Sequence, residues 1–139
     1  MTLPIGGLSR QTGVKVPTIR YYEEIGLLPA APRTESNRRL YGEEAVRRLR
    51  FIRHARELGF EVEAIRQLLA LADQPERPCV EVDGIARAHL AEIDDRIARL
   101  TALRAEVGRM TECSAHGRVG DCRVIQVLAD HGLCGHSHH

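Results

Sequence analysis

Ile5-Gly6-Gly7-Leu8-Ser9-Arg10-Gln11-Thr12-Gly13-Val14-Lys15-Val16-Pro17-Thr18-Ile19-Arg20-Tyr21-Tyr22-Glu23-Glu24-Ile25-Gly26 is the stretch that decides the fold. Its first eight residues form a helical signal that Gly13 stops. A second signal begins at Val16-Pro17, where proline suits a first helical position because its missing N–H would be unpaired there anyway, and Gly26 ends it. Two short helices joined by a tight glycine turn predict a helix-turn-helix. In that unit the second helix enters the major groove of DNA with its first residues nearest the bases. This assigns base and phosphate contacts to Thr18, Arg20 and Tyr21, with Lys15 just ahead of them.

Outward from this core, Leu28 to Tyr41 carry Pro29, Pro32, Thr34, Ser36 and Asn37, which is loop chemistry. The basic centre of the loop predicts a small hairpin, or wing, that places Arg33, Asn37, Arg38, Arg39 and Tyr41 against flanking phosphates. Helices are expected near Glu43–Leu58 and Glu61–Leu71, separated by Gly59, and Arg53 of the first joins the DNA contacts. After the polar break Asp73-Gln74-Pro75-Glu76-Arg77-Pro78, one long helix is expected from Val80 to Thr111. Ala86, Leu90, Ile93, Ile97, Leu100 and Val107 follow coiled-coil spacing on it, with Arg104 interrupting the strict form. A chain this small cannot bury such a stripe alone, so a homodimer is expected. An antiparallel pair sets the end of one helix beside the start of the other.

Charge is distributed unevenly. Residues 1–70 hold 12 Arg/Lys against 8 Asp/Glu, a net of +4, and residues 71–139 hold 8 against 11, a net of −3. A basic half beside an acidic half suits a nucleic-acid surface joined to a regulatory part. No apolar run approaches membrane-spanning length and no charged-then-apolar leader opens the chain, so a cytoplasmic protein with reduced thiols is expected. Phosphate-cradling glycine loops, nucleophile elbows and Cys-x-x-Cys are absent, which argues against an enzyme.

Cys79 precedes the long helix, and Cys113 and Cys122 follow its end with eight residues between them. Thiolates so placed converge only if the chain folds back or a second subunit supplies one. In the antiparallel dimer, Cys79 of one subunit approaches Cys113 and Cys122 of the other. Thiolates are soft ligands suited to zinc, cadmium, mercury, lead and monovalent copper. Cys79 lies near a helix N-terminus. Asp121 reads as the N-cap of a terminal helix that carries Cys122 in its first turn, a position that favours a thiolate. His116 in the intervening loop is a fourth ligand for zinc or cadmium. Cys134, His136, His138 and His139 make an auxiliary metal-binding tail, with an unanchored terminus as the bland alternative. His54 and His89 read as structural or solvated. A Cys113–Cys122 disulfide, as an oxidation product or redox switch, stays open.

Val16-Pro17-Thr18-Ile19-Arg20-Tyr21-Tyr22-Glu23, then Gly26-Leu27-Leu28-Pro29, Arg38-Arg39-Leu40-Tyr41, Phe51-Ile52-Arg53 and Leu58-Gly59-Phe60, resemble the signature of the MerR family of transcriptional regulators over nearly the whole chain. Gly7 departs from it, standing where the family often has an acidic residue. The resemblance implies a mainly α protein with three parts. They are a winged helix-turn-helix over residues 1–72, a long antiparallel coiled-coil dimerisation helix over 79–112, and a metal-binding loop with a short helix and His-rich tail over 113–139.

The same resemblance implies a homodimer on double-stranded promoter DNA that represses when metal-free. When loaded it activates by distorting the spacer, and it acts on RNA polymerase through the shared promoter. In the metal-responsive branch of the family, a cysteine at the Cys79 position goes with divalent ions, while copper, silver and gold sensors usually carry serine there. Zinc or cadmium is therefore expected as the effector, with mercury or lead next. A monovalent copper sensor and a thiol-redox regulator of the same fold are the alternatives.

Overall fold

The computed structural model describes residues 2–112 and 117–130. The described residues form helices α1 Ile5–Thr12, α2 Val16–Glu24, α3 Glu43–Glu57, α4 Val62–Ala72, α5 Val80–Thr111 and α6 Arg123–Ala129, with a 3-10 turn at Val119–Asp121. The only β pairing among the described residues is two isolated antiparallel bridges, Leu3 with Tyr41 and Arg33 with Arg39. The mainly α architecture therefore agrees with the expectation. No described helix is long and apolar enough to cross a membrane. Two compact units divide the chain, Met1–Ala86 and Arg87–His139, so the division falls inside α5.

In the first unit, α1 packs on α2 and α3, and α3 on α4. Leu8, Ile19, Leu49, Ile52 and Ile65 of these helices are fully buried, as are Leu27 and Leu28 just past α2, and Tyr22 and Tyr41 join them. Each large aliphatic side chain so buried contributes about 1.5–3 kcal/mol. The bounds of α1 and α2 match the helical signals because the same chemistry sets them. Pro17 sits in the first turn of α2, and Gly13 and Gly26 adopt φ of 75° and 76°, a left-handed conformation that side chains resist.

Much of the arginine content of α3 and α4 is structural. Arg53 Nη1 donates to the Thr12 carbonyl at 2.5 Å and Arg50 Nη2 to the Gln11 carbonyl at 3.3 Å, at the C-terminal end of α1. Arg66 Nη2 donates to the Ile25 carbonyl at 2.8 Å and Arg48 Nε to the Leu27 carbonyl at 3.4 Å, just past α2. The last carbonyls of a helix have no partner within it and carry partial negative charge, so guanidinium groups satisfy both needs. Arg47 instead pairs with Glu44 on an exposed face.

A Cβ built on Gly13 would stand 2.0 Å from Arg53 Nη1, so this position is constrained by both conformation and space. Gly13→Ala is expected to cost about 1–2 kcal/mol from the left-handed backbone. The midpoint of thermal unfolding should fall by roughly 4–15 °C, as followed by circular dichroism. An unchanged midpoint would mean that the turn tolerates a side chain at Gly13 and that neither the left-handed backbone nor the contact with Arg53 constrains it.

In the second unit, Glu106, Met110 and Val127 are buried, Arg109 pairs with Glu106, and α6 packs on the 3-10 turn. Leu90, Ile97, Leu100, Leu103 and Val107 of α5 are exposed, Leu100 by 65 %. Four of these are positions of the expected stripe, Leu103 lies beside them, and Ile93 of the same stripe is half-buried.

Candidate nucleic-acid interface and thiol ligands

Lys15, which caps α2, and Arg20 and Tyr21 on it are exposed and Thr18 is half-buried, because Ile19 and Tyr22 turn the opposite face into the core. The Tyr21 and Tyr22 rings sit 5.9 Å apart, one outside the core and one within it. The wing is a tight turn closed by Thr34 N–H donating to the Arg38 carbonyl at 2.7 Å, with Asn37 at φ 63°. Asparagine tolerates this conformation better than most residues. The Arg33 guanidinium donates to Asn37 Oδ1 at 2.8 Å, which stiffens the tip and leaves Arg33, Asn37 and Arg38 exposed.

Between α2 and the wing lies a cleft of about 600 Å³ lined by Arg20, Arg33, Arg38 and Arg39, with Glu23 and Glu24 among them. Four guanidinium groups against two carboxylates leave the cleft cationic. Lys15, Arg20 and Arg38 have no ion-pair partner among the described residues. Arg20 and Arg38 converge on this cleft, while Lys15 lines a separate one with Thr18 and Arg53, and unpaired cations so placed form a surface for phosphate oxygens.

The expectation for Tyr41 is corrected. Its ring is 1 % exposed, its backbone pairs with Leu3, and its hydroxyl donates to Glu23 Oε1 at 2.9 Å. Burial, with the Glu23 carboxylate next in effect, pushes the phenol above its ordinary value, so the hydroxyl stays a proton donor. Tyr41 is a core residue that anchors the wing. Arg39 pairs with Glu23 at 3.1 Å and is 36 % exposed, so only part of its guanidinium faces the cleft. Arg53 holds the α1–α2 turn and pairs with Glu57 at 3.0 Å while staying 48 % exposed.

Glu23 is a site residue that sequence reasoning missed. Its signal is positional: it follows Ile19 by four residues, on the buried side of α2, and a carboxylate there must find donors.

Of the expected metal ligands, Cys79 and Cys122 are free thiols, the first exposed and the second half-buried. The Cys79 carbonyl accepts the Asp83 N–H at 2.9 Å, which makes Cys79 the residue that caps α5. The expectation for Asp121 is also corrected. It belongs to the 3-10 turn, and Cys122 itself occupies the N-cap of α6, its carbonyl accepting the Gln126 N–H at 3.0 Å. The 3-10 turn delays the helix by one residue, so Cys122 stands before its first turn and not in it. Cys113, His116, Cys134, His136, His138 and His139 lie outside the described residues. Among the described residues no group of three or more His, Cys, Asp or Glu gathers as a metal site. Each of these thiols is by itself a soft donor.

Comparisons with known proteins agree with this arrangement. Residues 3–72 match the MerR HTH family regulatory proteins and residues 46–110 match the family described as MerR, DNA binding. The HTH-type transcriptional regulator HmrR of Sinorhizobium medicae (strain WSM419) is 42 % identical over 129 residues, 92 % of this chain and 87 % of that protein. The heavy metal-dependent transcription regulator 2 of Rhizobium meliloti (strain 1021) is 41 % identical over 127 residues, 91 % and 86 % of the two chains. Among solved structures, the transcription regulator PbrR691 from Ralstonia metallidurans CH34 in complex with lead(II) superposes with a TM-score of 0.80 at 36 % identity. That match covers 91 % of this chain and 98 % of the other. These relatives are regulators of transcription and not enzymes, and the chain belongs to the MerR family of helix-turn-helix transcriptional regulators.

Proposed function

We propose that this chain is the subunit of a homodimeric regulator that reads promoter DNA with α2 and the wing and responds to a divalent soft metal ion. The DNA contacts are Lys15 at the cap of α2, Thr18, Arg20 and Tyr21 from α2, Arg33, Asn37 and Arg38 from the wing, and the exposed parts of Arg39 and Arg53. Dimerisation covers the exposed stripe of α5, whose apolar side chains a single chain leaves in water. The metal ligands are Cys79 of one protomer with Cys113 and Cys122 of the other. His116 is the fourth donor where zinc or cadmium needs one, and Cys134, His136, His138 and His139 form an auxiliary set. Zinc or cadmium leads, followed by mercury or lead. The metal-free dimer represses, and the loaded dimer realigns the promoter for RNA polymerase by distorting the DNA between its elements.

The observation that carries this reading is the free, exposed thiol of Cys79 at the start of α5, in a chain 36 % identical to a regulator solved with lead(II). Three thiolates around a doubly charged ion leave little net charge, which favours a divalent effector over a monovalent one.

The test is an anaerobic titration of the reduced protein with zinc, cadmium, mercury, lead and monovalent copper, following thiolate-to-metal absorption against a competing chelator. One tightly bound divalent ion per subunit is expected, with monovalent copper held more weakly. Tight binding of copper alone would reassign the effector, and no tight binding would move the signal to thiol oxidation.

A further inference from the structure

The wing is held to the rest of its unit by little backbone pairing. Among the described residues, only the isolated Leu3–Tyr41 bridge ties its base to α1's leading segment, through hydrogen bonds of 2.8 and 2.7 Å. One side chain supplies what a sheet would otherwise supply. Glu23, on α2, has its carboxylate 6 % exposed and takes three donors from the chain that forms the wing. Oε1 accepts the Tyr41 hydroxyl at 2.9 Å, and Oε2 accepts Arg39 Nη1 at 3.1 Å and the Ala31 N–H at 3.4 Å. Ala31 lies on the arm entering the wing, and Arg39 and Tyr41 lie on the arm leaving it. The carboxylate therefore grips both arms from the helix that reads DNA. A buried carboxylate with this many donors is rigid, because losing any one of them leaves charge uncompensated away from water.

The geometry points to Glu23 as a positioning residue for DNA recognition. Without touching DNA, it sets the wing against α2 and aims the free part of Arg39 into the cleft beside Arg20, Arg33 and Arg38. The inference rests on the DNA-reading role proposed above. Its physical content is that sequence preference needs α2 in the groove and the wing on its phosphates at the same time. A loosened wing forfeits the preorganised part of that binding. Non-specific affinity depends on the number of cations and not on their mutual placement, so it should survive.

Glu23→Gln keeps an acceptor for Tyr41 and removes the charge that holds Arg39. Glu23→Asp keeps the charge and withdraws it by one methylene. Tyr41→Phe keeps the carboxylate and deletes one of its donors. Each variant is compared with the wild type by fluorescence anisotropy, at one fixed salt, on two duplexes. The first is the duplex that the wild-type protein enriches from a randomised pool, and the second is a scrambled duplex of the same composition. Thermal midpoints are measured alongside.

Both Glu23 variants are expected to lose about tenfold in affinity for the enriched duplex while holding the scrambled duplex within twofold. Tyr41→Phe should lose about threefold in the same sense, and it decides the matter should the Glu23 variants fail to fold. Equal losses on both duplexes, in step with the thermal midpoint, would reduce Glu23 to a stability role and overturn the inference. Full preference in Glu23→Asp would also overturn it, since charge and not placement would then matter. Should the wild type itself enrich no sequence, the DNA-reading role fails first and this inference falls with it.

Discussion

Raising monovalent salt from about 50 to about 200 mM is expected to weaken DNA binding by a factor on the order of 10⁴. Lys15, Arg20, Arg33 and Arg38 are exposed and lack ion-pair partners among the described residues. Two protomers would thus neutralise about eight phosphates. Each neutralised phosphate releases condensed counterions, so log K should fall against log salt with a slope near −7. Anisotropy titrations at four salt concentrations measure the slope directly. A slope shallower than about −3 would remove most of these side chains from the phosphate backbone. Tyr41 should contribute nothing to the slope, since its buried hydroxyl is already bonded to Glu23.

Cys79→Ser is expected to lower divalent-metal affinity by well over the roughly 10–100-fold that disturbing an outer-sphere partner costs, because a thiolate ligand is lost outright. The same variant should leave binding to DNA unchanged in the absence of metal. Cys79 is exposed, so little packing is lost, and it occupies the capping position of α5, where serine is among the favoured residues. Absorption-monitored titration against a chelator, paired with anisotropy on the enriched duplex, separates the two effects. Loss of metal-free DNA binding in this variant would make Cys79 a structural residue, and undiminished metal affinity would exclude it as a ligand.

Local chemistry made much of the first unit legible. Proline at the start of α2, glycines after α1 and α2, and an apolar period matching the helical repeat set those boundaries with no need of tertiary information. The exposed apolar stripe of α5 was equally readable, since its spacing is a property of the chain alone. The arginines were not. A guanidinium on a basic helix reads the same whether it meets a phosphate or a carbonyl, so Arg48, Arg50 and Arg66 gave no sign of their bonds to Leu27, Gln11 and Ile25. Around Cys122 the spacing misjudged the last cap by one residue, because a 3-10 turn differs from a helical turn only in its hydrogen-bond register.

By itself, then, the sequence determined the helices α1 to α5, the turn between α1 and α2, the cationic character of the wing, and the presence of soft donors about the long helix. Those follow from backbone preference, periodicity and composition, which act over a few residues. Only the tertiary structure decided which cations stay free for a ligand and that Tyr41 turns inward. It alone showed Glu23 joining α2 to both arms of the wing, across separations of 8, 16 and 18 residues. The reason is that pairing between distant side chains depends on which faces the folded core brings together, and local patterning carries no record of that choice.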